Sequence, residues 1–597
     1  MTLLSDLKQI ILEKIPYFPY VACGTYRKRL LCVLCGFLLI NCGPSKELLV
    51  AGRVYEFPDR RWVPEPPAKE PDPDYDFVDK TVLEQMESVF DFPRTFRWMT
   101  GNPKQANNID AFDEVGNSSW FTNRVRTITL EEALRGPDTV DGPEMTHPWE
   151  VAGVKTQGVT PGFRIKDSRG DLYLLKFDPP AFPELATAAE IISTKLVHAA
   201  GFNTPENYLV FFTEEQLVIK DEITLVDEFG NERILTPEDV MSVLERVTRT
   251  SDGKFRAVAS KFLPGGLVGP FSYVSRRKTD LNDVFRHEHR RELRGLQPLA
   301  AFINHNDIRR INSLDIYMPE GYVKHYLIDF GSTLGSVNFR SEGFEYIIDF
   351  GTITKAALSG GAYKRPWRRY NQESNFTSIG YFGVDGFNPE KWRPSYPNMA
   401  FQRISNRDGF WGAKLVMSIT DEMIHGIVAQ AKYSDPRAAD YMIATLIKRR
   451  DIIGRYWYGK VSPLDRFSII PSDVGQQITF VDLAVEIGFE QRQETSYRTH
   501  QLVYNNFGGR DKKLLNSKNN GISHTTDGTT TTMTLSPELL GKIDALCRDK
   551  ETPGDRLFYL KIDTHRTSKN WKKSVRLHLH YVNRAEGFVL AGVERLD

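Results

Sequence analysis

The stretch "TPGFRIKDSRGDLYLLKFDP", Thr160 to Pro179, constrains the fold more than any other part of the chain. Two runs of strand-forming residues flank Asp167-Ser168-Arg169-Gly170, a tetrapeptide rich in turn formers, so the stretch predicts two strands joined by a turn. "PELATAAEIISTKLVHAAGFNTPENYLV" follows, with Leu185, Ala189, Ile192 and Leu196 at helical spacing. It predicts a helix stopped at Gly201 and then another strand. A hairpin, a helix and a return strand need a sheet with one face covered by that helix. Later, "SITDEMIHGIVAQAKYSDPRAADYMIATLIKRRDIIGRYW" predicts two helices, with Thr420 and then Ser434 or Asp435 as N-caps and Pro436 in the first turn. The order is strand-rich, then helix-rich, within residues 150–458.

Between these blocks lie two polar clusters beside apolar runs. "NHNDIRRINSLDIY" spans Asn304 to Tyr317, and "YLIDFG" spans Tyr326 to Gly331. Polar side chains next to strand-like apolar residues are costly unless something pairs with them. His305, Asp307 and Asn312 have the spacing HxDxxxxN, and Asp329-Phe330-Gly331 follows Asn312 by 17 residues. Lys176 lies in the second strand of the hairpin and Glu190 on the next helix.

In this order the residues resemble the protein kinase superfamily. The resemblance implies an α+β fold of two lobes, a β-rich N-terminal lobe and a helical C-terminal lobe, over residues 150–458. It implies ATP and Mg²⁺ as cofactors. Lys176 would hold the α- and β-phosphates and Glu190 would hold Lys176. Asn312 and Asp329 would supply hard oxygen ligands to Mg²⁺. Asp307 would accept or orient the proton of an attacking hydroxyl, with His305 in the same loop. Arg309 would neutralise the transferring phosphoryl group. "TQGVTPGF" would cover the phosphates through Gly158 and Gly162, and "VASKFLPGG", Val258 to Gly266, would join the lobes. The Ala-Pro-Glu segment of ordinary protein kinases is absent. The layout is therefore more similar to atypical bacterial kinases of the HipA-like and CotH-like groups and to their exported relatives.

Each residue has a plainer reading. Asp307 and Asn312 are also turn formers. Lys176 alternates with Leu175 and Phe177 as an edge-strand lysine would. Glu184 is an alternative partner to Glu190. Arg309 and Arg310 would simply pair with acidic neighbours. "DVFRHEHRRELRGL", Asp283 to Leu296, reads as a solvated helix face, with an anionic-substrate patch as the alternative. "GAYKRPWRRYNQ", Gly361 to Gln372, reads equally as an aromatic loop or a substrate-facing segment.

Length enters through domain count. The 597 residues exceed a single ordinary core. From 459 to 597, short alternating stretches such as "RLFYLKID" and "SVRLHLHYV" predict a β-rich C-terminal domain. Residues 77–149 form an N-terminal extension, in which Thr129 caps a helical turn stopped by Gly136-Pro137. Lys+Arg and Asp+Glu are both 77, so no global charge points to nucleic acid.

Four of the five cysteines, Cys23, Cys32, Cys35 and Cys42, lie in the first 42 residues, and Cys547 is alone, so no disulfide framework exists. The triplet Arg27-Lys28-Arg29 precedes an apolar run that ends at "LLINCGPS". The run is too short to span a bilayer and has the length of a signal core. It resembles a bacterial lipoprotein signal, with Cys42 as the lipidated residue; the alternative is a buried or interfacial helix. Residues 43–76, Pro-rich and acidic, then read as an extended tether. The resulting expectation is an exported, membrane-anchored enzyme that takes a nucleotide and an unidentified hydroxyl-bearing acceptor. Two alternatives keep the fold: an inactive kinase-like binding module, and transfer of AMP from the same site.

Overall fold

Asp167 explains the hairpin at the start of the structure, a computed structural model. Its Oδ1 accepts the backbone N–H groups of Arg169 and Asp171, both at 3.0 Å, which closes the turn locally. The structure describes residues 58–70, 73–154, 162–220, 223–226, 232–337, 354–355, 357–360, 362–363, 373–472, 475–504, 512–515, 521–550, 556–567 and 571–596. The apolar run with its cysteines, Gly158 and most of Gly361–Gln372 therefore lie outside the described residues.

The chain is mixed α/β. The hairpin strands β2 (Gly162–Lys166) and β3 (Leu172–Phe177) join β1 (Trp149–Val154), β4 (Asn207–Phe212), β5 (Leu217–Val218) and β6 (Phe255–Lys261) in one sheet. The strand order is β4-β6-β3-β2-β1-β5. Lys176 is opposite Gly162 on one side and Val258 on the other, so it sits in a central strand, not at an edge. Alternation along β3 sends Tyr173, Leu175 and Phe177 into a core with Trp149, Phe163, Ile165 and Phe255. Each such fully buried side chain contributes about 1.5–3 kcal/mol. Leu174 and Lys176 emerge on the opposite face.

Helix α1 (Leu130–Arg135) begins at Thr129, whose side chain and Glu132 form a reciprocal capping box. Helix α2 (Leu185–Ala199) is buried along almost its whole length, because it packs against the sheet, α1 and a helical layer at once. That layer contains α3 (Arg291–Phe302), α4 (Asn406–Met417), α5 (Asp421–Gln430) and α6 (Pro436–Tyr458). Thr420 caps α5, and Asp435 caps α6 ahead of Pro436. Helices α3 and α4 approach so closely that a Cβ on Gly412 would lie 2.2 Å from the carbonyl oxygen of Gly295. Ile192 and Leu196 of α2 share one core with Leu293, Leu296, Trp411, Leu415 and Met442.

A smaller sheet, β9-β8-β7, combines β7 (Gly266–Gly269), β8 (Ser313–Tyr317) and β9 (Val323–Leu327). Here the structure departs from the sequence reading of 43–76 as a free tether. Residues 58–70 are extended but docked on this sheet. The Val63 N–H donates to Gly321 (2.8 Å), the Lys69 N–H donates to Val268 (3.0 Å), and the Tyr317 hydroxyl donates to the Val63 carbonyl (2.8 Å). Gly269, at φ +100°, makes room for this: a Cβ there would sit 1.9 Å from the Lys69 carbonyl oxygen.

Asp283–Leu296 is the second correction. The expected solvated face is almost wholly buried: Glu288, Arg291, Glu292 and Arg294 have no exposure. Asp283 holds His287 (2.7 Å) and Arg290 (3.3 Å). Arg291 pairs with Asp113 (2.8 Å) and Asp408 (2.9 Å), and Arg294 pairs with Asp408 (3.2 Å). Asp113 also receives Arg407 (2.7 Å) and Arg595 (3.3 Å). These charges are sealed because each has an opposite charge at contact distance.

Residues 464–596 contribute two antiparallel sheets and helix α7 (Pro537–Cys547). One sheet has the order β10-β11-β14-β13, from Leu464–Ser472, Gly475–Asp482, Thr530–Leu535 and Ile522–Asp527. The other runs from the short strand Lys512–Lys513 through β12 (Thr495–Tyr504), β15 (Leu557–Arg566) and β16 (Trp571–Asn583) to β17 (Gly587–Leu596). They enclose a separate core that includes Ile478, Phe480, Met533, Leu560 and Leu577. Among the described residues, no helix is long and apolar enough to cross a membrane.

Candidate functional site

Three charged groups from a strand, a helix and a turn meet under the six-stranded sheet. Lys176 Nζ on β3 is 3.4 Å from Glu190 Oε1 on α2 and 3.2 Å from Asp329 Oδ1. The helix choice between two glutamates is settled by backbone geometry. Glu184 precedes α2 in a left-handed conformation (φ 68°) and accepts the Ser434 N–H, pointing away from Lys176. Glu190, six residues on, is buried, and Asn207 at the start of β4 donates to its Oε1 at 3.0 Å. Asn207 also donates to Thr194 (2.8 Å). It is a positioning residue that sequence reasoning missed, since one asparagine at a strand start carries no signal.

Burial works against the Lys176 ammonium, but Asp329 and Glu190 outweigh it and hold the pKa above the ordinary lysine value. Burial pushes the Glu190 carboxyl up, against the pull of Lys176. Asp329 itself stands at φ 61°, where non-glycine residues are strained. Its neighbours fix it there. Phe330, Gly331 and Ser332 form a buried turn. Thr333 Oγ1 donates to the Phe330 carbonyl (2.7 Å) and meets Ser193 Oγ of α2 at 2.7 Å. The side chain of Asp329 is 39 % exposed, in contrast to Glu190 at 2 %, so the one open end of the cluster is its aspartate.

Asp307 and Asn312 lie on the loop before β8. Asn312 Nδ2 donates to the Asp307 carbonyl (2.7 Å) and to Asp307 Oδ2 (2.9 Å), which turns the amide oxygen the other way. Burial raises the Asp307 pKa to about 6, opposed by Arg309 and with Asp329 adding to the rise. The two aspartates therefore share one electrostatic environment. His305 is buried, its ring 5.6 Å from that of Phe330, and burial lowers its pKa to about 4. It is a neutral packing group beneath the Asp329 turn.

Arg309 reaches Asp307 (2.6 Å) and Asp76 (3.9 Å) and stacks 4.7 Å over Tyr396. Pairing with acidic neighbours, the plainer sequence reading, is what the structure shows for it. Asp76 and Tyr396 had no sequence signal: one falls in the acidic Pro-rich stretch, the other in an irregular segment. Gly162 is the first residue of β2, opposite Lys176.

Among the described residues, no three His, Cys, Asp or Glu side chains converge as a closed metal cage. The oxygens of Asp329, Asn312 and Asp307 can supply only part of a coordination shell. That suits Mg²⁺, which keeps waters and takes further oxygens from phosphates. Lys176 and the residues behind it can hold an anion against the sheet. In comparisons with known proteins, no family model, no curated protein and no solved structure matches the chain.

Proposed function

We propose that the chain is a kinase-like phosphotransferase that binds Mg-ATP and passes a phosphoryl group to a hydroxyl. The observation that carries this reading is the Lys176–Glu190–Asp329 cluster, joined from a central strand, a buried helix and a strained turn. In this reading the six-stranded sheet is one lobe and the helical layer the other, with Val258–Gly266 as the link between them. In this reading Lys176 binds the phosphates and Glu190, steadied by Asn207, orients Lys176. Asp329 and the Asn312 amide oxygen hold Mg²⁺, which neutralises charge on the phosphates. Asp307 takes or orients the acceptor proton, and its raised pKa suits a base that works above about pH 6. Arg309 is drawn toward Asp307 and positions it.

One observation favours a second reading. The ion pair between Arg309 and Asp307 at 2.6 Å occupies the expected base, as in a binding module that no longer turns over. Transfer of AMP would use the same residues, and the mass added to a product separates it from phosphoryl transfer. An envelope location, with Cys42 as anchor, rests on the sequence of the apolar run.

The test is a thermal melt of the full chain with ATP, with and without Mg²⁺, beside Asp329→Ala. Ligand at a hundred times its Kd stabilises by about 2.7 kcal/mol. A Mg²⁺-dependent rise that the variant loses supports the site. An equal rise in both proteins removes Asp329 from it.

A further inference from the structure

Arg294 on α3 has no exposure, yet it organises a patch at the surface. Its guanidinium donates to the carbonyls of Glu288 and Lys104, both at 2.8 Å, to Asp408 at 3.2 Å and to His289 Nδ1 at 2.6 Å. Two further bonds tie the same segments together. The Asn107 N–H donates to the His289 carbonyl (2.8 Å), and Ser405 Oγ donates to Gln105 Oε1 (3.4 Å). A fourth segment, the helix Phe92–Met99 with Asp91 before it, is joined through Asp91 to Arg403 (2.8 Å) and through Arg94 to Gln402 (3.3 Å). Residues 91–97, 104–107, 286–289 and 403–405 therefore meet at one place.

The charge they bring is mostly positive. Arg94, Arg97, Lys104, Arg286, Arg294 and Arg403 gather here. Among the described residues, the carboxylates paired with them are Asp91, Glu288 and Asp408, half as many. Glu288 and Asp408 are buried, and Asp408 is shared with Arg291. Lys104, Arg97 and Arg286 are exposed. Burial, then Arg294, Arg97 and Arg286, lower the Lys104 pKa below the ordinary lysine value, against the pull of Glu288. Cations crowded in this way repel until an anion joins them. His289 adds a donor of fixed direction. A guanidinium can only donate, so Nδ1 accepts from Arg294 and the proton of the neutral ring sits on Nε2. Burial, with Arg294 and Lys104 beside it, lowers the pKa of the ring to about 4, so it is neutral at pH 7. Nδ1 is engaged inside, which leaves the Nε2–H on the other side of this half-buried ring.

We propose that His289, Lys104, Arg97, Arg286 and Arg403 form a binding site for a phosphate dianion, free or carried as a monoester. A carboxylate offers two oxygens in one plane. Donors from four segments around one point suit a tetrahedral group with several charged oxygens, and arginine forks match its edges. The site shares no residue with the Lys176 cluster and does not rest on the phosphotransferase reading. It also divides the stretch Asp283–Leu296 in two. Arg291 and Arg294 are structural charges, whereas Arg286 and His289 at its start supply the anion-facing patch that the sequence offered as an alternative.

The experiment titrates inorganic phosphate and, in a second arm, phenyl phosphate into the full chain by calorimetry. ATP and Mg²⁺ are left out, and KCl holds the ionic strength constant because salt screens charge contacts. The expected result is one saturable site with a Kd below about 1 mM. Lys104→Gln and His289→Phe each weaken it by about tenfold or more, the least that a charged hydrogen bond contributes. Lys104 is exposed, so its variant keeps the native fold. Tighter binding of phenyl phosphate assigns the site to a monoester, and tighter binding of phosphate assigns it to the free ion. An affinity unchanged in both variants overturns the proposal, as does no saturation at about ten times that concentration. Loss of binding in Lys176→Gln with Lys104→Gln unaffected overturns it too, and moves the ion to the candidate nucleotide site. Because no nucleotide is present, each outcome reads the same whether or not the chain is a phosphotransferase.

Discussion

Two sets of buried charges lie in this molecule, and they are built differently. Around Asp113, Arg291, Arg407, Arg595 and Asp408, every charge meets an opposite one, and all but the partly exposed Arg407 are buried. Burial opposes the Asp113 charge, but three arginines outweigh it and hold its pKa well below the usual carboxylate range. At Lys176, Glu190 and Asp329 one aspartate is partly open to solvent, and its backbone is strained. The first arrangement spends its charge on holding elements together. The second leaves Asp329 partly open to solvent, where a charged ligand can reach it.

The contrast is tested first where it predicts the largest loss. Removing one member of a sealed pair leaves the others buried without compensation, at about 3–5 kcal/mol. Asp113→Ala is therefore expected to lower stability by that amount in urea melts. A loss near zero would mean the network is wet, and would erase the distinction.

The open region predicts a pH dependence. Asp307 moves from an ordinary 3.8 to about 6 in the folded chain. Between those values the folded chain holds a proton that the unfolded chain has released, so stability falls as pH rises. At about 1.4 kcal/mol per unit, the native chain loses about 3 kcal/mol from pH 4 to 7 relative to Asp307→Asn. Parallel stability curves for the two proteins would show that Asp307 is not perturbed.

A smaller effect separates the two glutamates. Glu190→Gln keeps the shape but removes the charge opposite Lys176, worth about 1.5–3 kcal/mol for a charged hydrogen bond. Mg-ATP should stabilise this variant less by that amount, while Glu184→Gln behaves as the native chain. Equal responses would break the assignment of Glu190. The smallest change is expected outside both regions: Thr129→Ala removes the cap of α1 and costs about 1 kcal/mol. A larger loss would show that α1 carries more of the α2 packing than its cap.

The sequence was readable where a signal is local. The Asp167 turn, the end of α2 at Gly201 and the caps Thr129, Thr420 and Asp435 all act on neighbours within a few residues. Periodicity located α2, and motif spacing brought Lys176, Glu190 and Asp329 to one place. Misreadings came where the partner is remote. The arginines of 283–296 look solvated until Asp113 and Asp408, more than a hundred residues away on either side, neutralise them. The Pro-rich stretch looks like a tether until β7 and the β8–β9 turn offer it unused backbone groups. Asn207, Asp76 and Tyr396 reach the site by tertiary placement, which leaves no pattern along the chain.

The bond between Arg595 and Asp113 spans 482 positions. At roughly 5–20 residues per second of synthesis, Asp113 leaves the ribosome roughly 25–100 s before Arg595 exists. For that interval a carboxylate destined for a dry interior lacks one of its three arginines. The charge network under the helical layer is therefore completed only when the last strand arrives.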